Sequence, residues 1–317
     1  SETITIIGTG TGGSYNHVAR TVARHLGNNI PGKPTIVAQN MQGASSTKAA
    51  SYIYGIAPQD GSVLGAVVQT IPQGQLLDLF KNAEFDAAKF HWIGSPQASV
   101  IVFAVWHGSP VKALADVQSR ETIFGASSAR GADGSLPIIM NNILGTKFKV
   151  VVGYKASGAR MAVTRGEADG ICGMSYQTLL ASNPTWFSEK KINIIAQIGL
   201  TPHPDMKGVP MALDLIKDKA ERDLLIFLMI PQEMGRPYTA APGLPKARIA
   251  ALRAAFDATM TDPKFLEDAK RTRLVVDPIG HAAMTALVKR LGGMPKATIA
   301  SARKILVKKK KKKKMKK

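Results

Sequence analysis

"TIIGTGTGGSYNHVAR", residues 5–20, decides how the chain is read. A short apolar strand, Ile4 to Ile7, runs into a glycine-rich turn and then a helix. Val18, Val22 and Leu26 stand four apart with Ala19 and Ala23 beside them, which marks one apolar helix face. Gly8, Gly10 and Gly13 fit the G-x-G-x-x-G frame of a dinucleotide site. Such a site also needs an acid about twenty residues on, to hold the ribose hydroxyls. Between Glu2 and Asp60 the chain has neither Asp nor Glu, and the next strand ends in Gln39-Asn40. A nucleotide-linked oxidoreductase using the Gly8–Gly13 turn therefore stays only as the alternative reading. The turn's own chemistry points elsewhere. Bare amides, the positive end of a helix and the hydroxyls of Thr9, Thr11 and Ser14 make a small anion cradle. No nearby carboxylate repels an acidic ligand.

Outward from this turn, strands and helices alternate. "PTIVAQN" (34–40), "SVLGAVV" (62–68), "FHWIGS" (90–95) and "SVIVFAV" (99–105) read as strands, and "STKAASYIYG" (46–55) as a helix. This is β-α-β alternation and predicts a largely parallel sheet. A second set follows, with strands at 122–127, 148–154, 169–174 and 191–199 and helices at 134–144 and 157–166. The last third is mostly helical. A helix is expected over 219–234, an extended segment over 237–245, and a helix opening at Pro245. The fold class is α/β with two lobes. Lobe 1 takes residues 1–102 and 223–307, lobe 2 is inserted as 103–222, and the crossings fall near 101–105 and 220–237.

The second lobe repeats the device of the first. "GASSARGADGSLP" (125–137) follows a strand and opens a helix. Ser127 and Ser135 supply hydroxyls, Gly131 and Gly134 free the backbone, and Arg130 can meet a carboxylate bidentately or pair with Asp133. Tyr15, Tyr154 and Tyr176 lie just past strand ends, where they line a cleft or pack in the core. Asp169 either ends a helix or faces ligand. Open α/β sheets bind ligands at the carboxyl ends of their parallel strands.

Bulk composition narrows the function classes. The net charge is +20, but nine of the lysines lie in "KKKKKKKMKK" (308–317), which leaves +11 for the body. A basic body suits anionic ligands. The tail has no aromatic to stack bases and reads as an appendage, with no specific nucleic-acid partner expected. The single cysteine, Cys172, permits no internal disulfide. No apolar run is long enough to cross a bilayer. The N-terminal residues show no secretory leader, and an exported chain would already have lost it. No nucleophile elbow and no H-E-x-x-H is present, and the six histidines have no metal-ligand spacing. The expectation is a non-enzyme without cofactor or metal.

"GTGTGGSYNHVAR", "IVAQNMQGASSTKAA", "APQDGSVLG", "GYKASGARMAVTRGEADG" and "PYTAAPGLPKARIAALRAAFDATMTDP" together, in this order, carry a family resemblance. They resemble the tripartite tricarboxylate transporter substrate-binding proteins, the Bug receptors, from Thr3 to about Leu291. The resemblance implies a type II periplasmic-binding fold and capture of a small carboxylate, a dicarboxylate or an aromatic acid. It implies a periplasmic location and delivery to the membrane permease subunits of a tripartite transporter. It places the ligand between residues Thr9 to Tyr15, including Gly12 and Gly13, and residues Ser127 to Ser135. Two departures stand out. Asn16 occupies a position where many members have Asp. Asn40-Met41-Gln42-Gly43-Ala44 stands for the usual NRPGA, so Met41 replaces an Arg and Gln42 joins the rim.

Overall fold

The computed structural model describes residues 3–8, 13–80, 83–129, 131–154 and 157–306, with only the backbone of Gly13 and Ser14. The chain opens with β1 (Thr3–Gly8), α1 (Gly13–Leu26), β2 (Thr35–Asn40), α2 (Thr47–Gly55), β3 (Val63–Ala66), α3 (Ile71–Leu76) and β4 (His91–Ser95). Next come β5 (Ile101–Trp106), α4 (Leu114–Ser119), β6 (Thr122–Ala126), α5 (Ala132–Leu144), β7 (Phe148–Val152), α6 (Gly158–Thr164), β8 (Gly170–Ser175), α7 (Tyr176–Ser182), α8 (Pro184–Ser188) and β9 (Ile192–Ile198). The last part holds α9 (Lys219–Met234), β10 (Tyr238–Ala240), α10 (Lys246–Thr261), α11 (Pro263–Arg271), β11 (Ile279–Gly280), α12 (His281–Gly292) and α13 (Lys296–Leu306).

Two sheets result, one per lobe. The first has the order β11-β4-β10-β3-β1-β2 and the second β7-β6-β8-β5-β9. In the first, β1, β2 and β3 are parallel, and β10 runs antiparallel between β3 and β4. In the second, β6, β7 and β8 are parallel while β5 runs against β8 and β9. The apolar patterning explains the layers. Val18, Val22 and Leu26 of α1 pack with Ile249, Leu252 and Phe256 of α10 under one face of the first sheet. A second apolar cluster joins Ile53 of α2, Ile230 of α9 and Met284 of α12 to Phe103, Phe124 and Phe148 of the second sheet. It is continuous through both lobes, and α9 supplies buried residues from Leu225 to Met234. The outer face of the second sheet is covered by Ala162, Leu179 and Trp186.

Where α1 ends, a polar clamp ties it to α11. Asp268 accepts from Arg24 Nη2 at 2.7 Å and from Arg271 Nη2 at 2.7 Å, and its carboxylate lies 2.9 Å from His25 Nε2. Burial alone would raise the Asp268 carboxyl, but these hydrogen bonds from His25, Arg24 and Arg271 hold it well below its ordinary value. Among the described residues, no helix is long and apolar enough to cross a membrane.

Candidate functional site

Strand direction brings the two sheets to one crevice. Because β10 is antiparallel to both β3 and β4, strands β1, β2, β3 and β4 all end on one edge, at Gly8, Asn40, Ala66 and Ser95. In the second sheet β6, β7 and β8 end together at Ala126, Val152 and Ser175. Ile101, the first residue of β5, lies opposite Ser175, the last of β8. Only residues 96–100 separate Ser95 from Ile101. The carboxyl ends of both sets of parallel strands therefore border the same space, where open α/β sheets place ligands. The return connection closes the same side. Ile198, the last residue of β9, also faces Ile101. Ser99 N donates to the Gln232 carbonyl at 3.1 Å, and Ala98 N to that of Asp277 at 2.9 Å. Thr201 Oγ1 donates to Glu233 Oε1. Burial of Glu233 raises its carboxyl above the ordinary value, against the lowering effect of that hydrogen bond.

On the first lobe's edge, Thr9, Thr11 and Gly12 lie outside the described residues. Gly13 and Ser14 begin α1. Tyr15 OH donates to Gln69 Oε1 at 2.8 Å, and the same oxygen accepts from Arg236 Nη1 at 3.0 Å. The Arg236 guanidinium lies 4.3 Å from the Tyr15 ring centre, a cation–π arrangement. Gln69 Nε2 continues the chain to Gln232 Oε1 at 2.9 Å. Burial pushes the Tyr15 phenol up, with Arg236 opposing. Asn16 Nδ2 donates to Asn40 Oδ1 at 2.8 Å, so it ties α1 to the end of β2. Gln42 is exposed on the rim. Beyond it Ala44, Ser45 and Ser46 all hold positive φ, at 43°, 51° and 76°. Three such residues in succession store backbone strain. Ser46 is buried, and its Oγ accepts from Val68 N at 3.2 Å, which holds the turn against the end of β3.

On the second lobe's edge, residues 127–129 and 131–135 lead from β6 into α5, and this turn carries its own carboxylate. Asp133 Oδ2 accepts from Ser127 N at 2.6 Å, and Ser128 Oγ accepts from Gly131 N at 2.9 Å. Asp133, one of the expected site residues, thus takes up one of the turn's amides. Arg130 lies outside the described residues. Gly134 sits against the Ser128 carbonyl, where a Cβ would stand 2.2 Å away. Ser135 is buried in the first turn of α5. Tyr154 packs its ring over Gly125 and Gly158 at the end of β7. A cavity of about 280 Å³ opens between these parts, bounded by Asp133, Arg160, Ile171, Cys172 and Met174. Burial raises the Cys172 thiol well above its ordinary value, so it stays protonated.

Two other expected residues fall elsewhere. Asp169 precedes β8 and lies on the opposite edge of the sheet from Ser175. Its Oδ2 accepts from Ile123 N at 2.8 Å and its Oδ1 from Ser109 Oγ at 3.3 Å. It fastens the far ends of the strands and does not face the crevice. Tyr176 starts α7 at the crevice edge, but its ring packs on His203 and Phe187, with centres 4.7 and 5.5 Å away. Gln69, Arg160 and Arg236 were missed. Arg236 was legible in principle, as an arginine between Gly235 and Pro237 in the extended return segment. Among the described residues no group of three metal-ligating side chains occurs.

No family model and no curated protein matches the sequence. Solved structures do match in shape. A TctC solute-binding protein from Polaromonas, without ligand, is 15% identical, covers 96% of this chain and 98% of its own, and has a TM-score of 0.70. Rpa4515 of R. palustris, with adipate, is 18% identical, covers 96% of each chain, and has a TM-score of 0.58. MatC of Rhodopseudomonas palustris, with bound malate, is 17% identical, covers 96% and 99%, and has a TM-score of 0.55. The chain has the two-lobe α/β fold of these structures, as its resemblance to the tripartite tricarboxylate receptors implies.

Proposed function

We propose that the chain is an extracytoplasmic receptor that takes up a small carboxylate between its lobes and delivers it to a membrane permease. One observation carries this reading. The link 96–100 joins the carboxyl end of β4 to the start of β5, opposite the end of β8; Arg236 meets Tyr15 and Gln69 in the first lobe, and Arg160 lines a cavity of the second. Guanidinium groups suit carboxylates in charge and in fork geometry. The basic body adds a field that favours acidic solutes. Two proteins of the same fold hold adipate and malate, both dicarboxylates.

In this reading residues 1–102 with 223–307 form the first lobe and residues 103–222 the second. The first lobe contributes Thr9 to Asn16, including Gly12, and Gln42. The second contributes Ser127, Arg130, Gly131, Gly134, Ser135 and Tyr154. Binding one lobe and then bridging to the other closes the crevice, and no catalytic group is needed. Each charge-assisted hydrogen bond contributes about 1.5–3 kcal/mol before ordering costs. Several of them give a dissociation constant on the order of micromolar.

Isothermal titration of the folded protein with acetate, succinate, adipate, malate and benzoate tests the proposal. Saturable heat with at least one acid is the expected result. A flat response to all five, or saturable binding of reduced nicotinamide cofactor instead, would refute it.

A further inference from the structure

From Pro278 onward the chain has fourteen Lys and Arg residues and no acid. Nine of these are the lysines of 308–317. The fold fixes where this charge departs. Arg303 and Lys304 stand exposed in the last turn of α13, and the lysine run begins two residues beyond Leu306. Arg303 Nη1 lies 4.0 Å from Asp78 Oδ2, which sets the end of α13 beside the segment that follows α3. Ile305 and Leu306 pack against the same apolar cluster as Phe80.

That segment walls an apolar groove of about 560 Å³ on the first lobe. Met41, Tyr52 and Phe80 line it, together with Ile56 and Leu79, which are 74% and 46% exposed. Among the described residues its one charged lining side chain is Lys48, and no acid lines it. Contiguous exposed apolar surface marks a place of interaction. The groove and the lysine run together decide the occupant. Nine lysines in ten residues, with no aromatic among them, match a broad field of negative charge rather than one shaped epitope. Duplex nucleic acid offers such a field through its phosphates, but it gives Ile56 and Leu79 nothing to enter. A bilayer of anionic phospholipid offers both headgroup charge and an acyl boundary. Ten residues reach at most roughly 33 Å, so the lysines stay near the groove.

We infer that this flank of the first lobe docks on a bilayer rich in anionic phospholipid. The lysine run holds the headgroups, while Ile56 and Leu79 enter the acyl boundary beside the groove. An apolar contact and a basic patch are each weak membrane signals, and together they hold a protein reversibly at the surface. The inference goes beyond the receptor reading and does not depend on it.

Flotation of the whole chain with vesicles tests it, using phosphatidylcholine alone and phosphatidylcholine with phosphatidylglycerol, and with duplex DNA binding as a second arm. Wild-type protein should float with the anionic vesicles at low salt, stay behind with the neutral ones, and be released as salt rises. Removing residues 308–317 should weaken vesicle binding by on the order of a hundred-fold or more. Ile56→Ser combined with Leu79→Ser should weaken it by about ten-fold or more and leave DNA binding unchanged. Both positions are exposed, so the variant keeps its fold, which circular dichroism verifies. The inference is overturned if wild-type protein floats equally with both kinds of vesicle, or with neither. It is also overturned if the shortened chain floats as well as wild type. If the folded double variant floats as well as wild type, the run is a binder of any polyanion, DNA included, and the inference fails there too.

Discussion

Gly173 shows how closely single residues are fitted at the second lobe's edge. Its φ is +84°, and a Cβ there would stand 2.3 Å from the backbone nitrogen of Asp133. No side chain fits without displacing the start of α5, which carries the turn of residues 127–135. Gly173→Ala should therefore destabilise the chain by about 1–3 kcal/mol, read from urea unfolding, through backbone strain and overpacking together. The residue scale is also where the sequence was least legible. The serine- and glycine-rich stretch is legible by composition as a turn from strand to helix, and Ser128 Oγ and Asp133 Oδ2 accept from the turn's own amides. Asp169 is not legible in this way. An acid between a helix and a strand reads equally as fastener or as ligand contact, and only its position on the far edge of the sheet decides. Arg160 was hidden for the opposite reason. On a short helix between Ala159 and Met161 it looks like a solvated face, and that it meets no acidic partner among the described residues is visible only in three dimensions.

Elements were easier to read than residues. The helix expected at 219–234 is α9 in full, because its apolar run and its Asp218 N-cap leave little choice. The return strand β10 was only an extended segment in the sequence, since three residues carry no periodicity. What makes it a strand is its place between β3 and β4, a non-local fact. The α1–α11 clamp is likewise non-local, joining Arg24 and His25 to Asp268 across more than two hundred residues. It makes stability depend on acid. The Asp268 carboxyl is held below its ordinary 3.8, so the unfolded chain takes up that proton first. The clamp is complete above about that pH, and its contribution is lost as pH falls further, through the folded-state value. Asp268→Asn should lower stability on the order of 2 kcal/mol at neutral pH and flatten the acid limb of a melting-temperature profile. An acid limb that keeps its wild-type slope would show that other carboxylates govern it.

At the scale of the molecule, the β-α-β alternation foretold two lobes but not how firmly they are joined. The apolar cluster that includes Ile53 and Phe103 passes through α9 and belongs to both halves. Neither half has a complete core without it. Thermal unfolding should therefore appear as one cooperative transition, with fluorescence and circular dichroism curves that coincide. Two separated transitions would mean that the shared cluster does not couple the lobes. The lysine tail, 308–317, lies outside the described residues. The short link between Ser95 and Ile101 imposes something else. Fully stretched, those residues reach roughly 20 Å between the two ends. The halves are leashed at that side, so any parting of them is widest at the side away from it. For the receptor proposed above, a guest would then pass through the gap farthest from the leash, and the arc of the swing would set how bulky it can be.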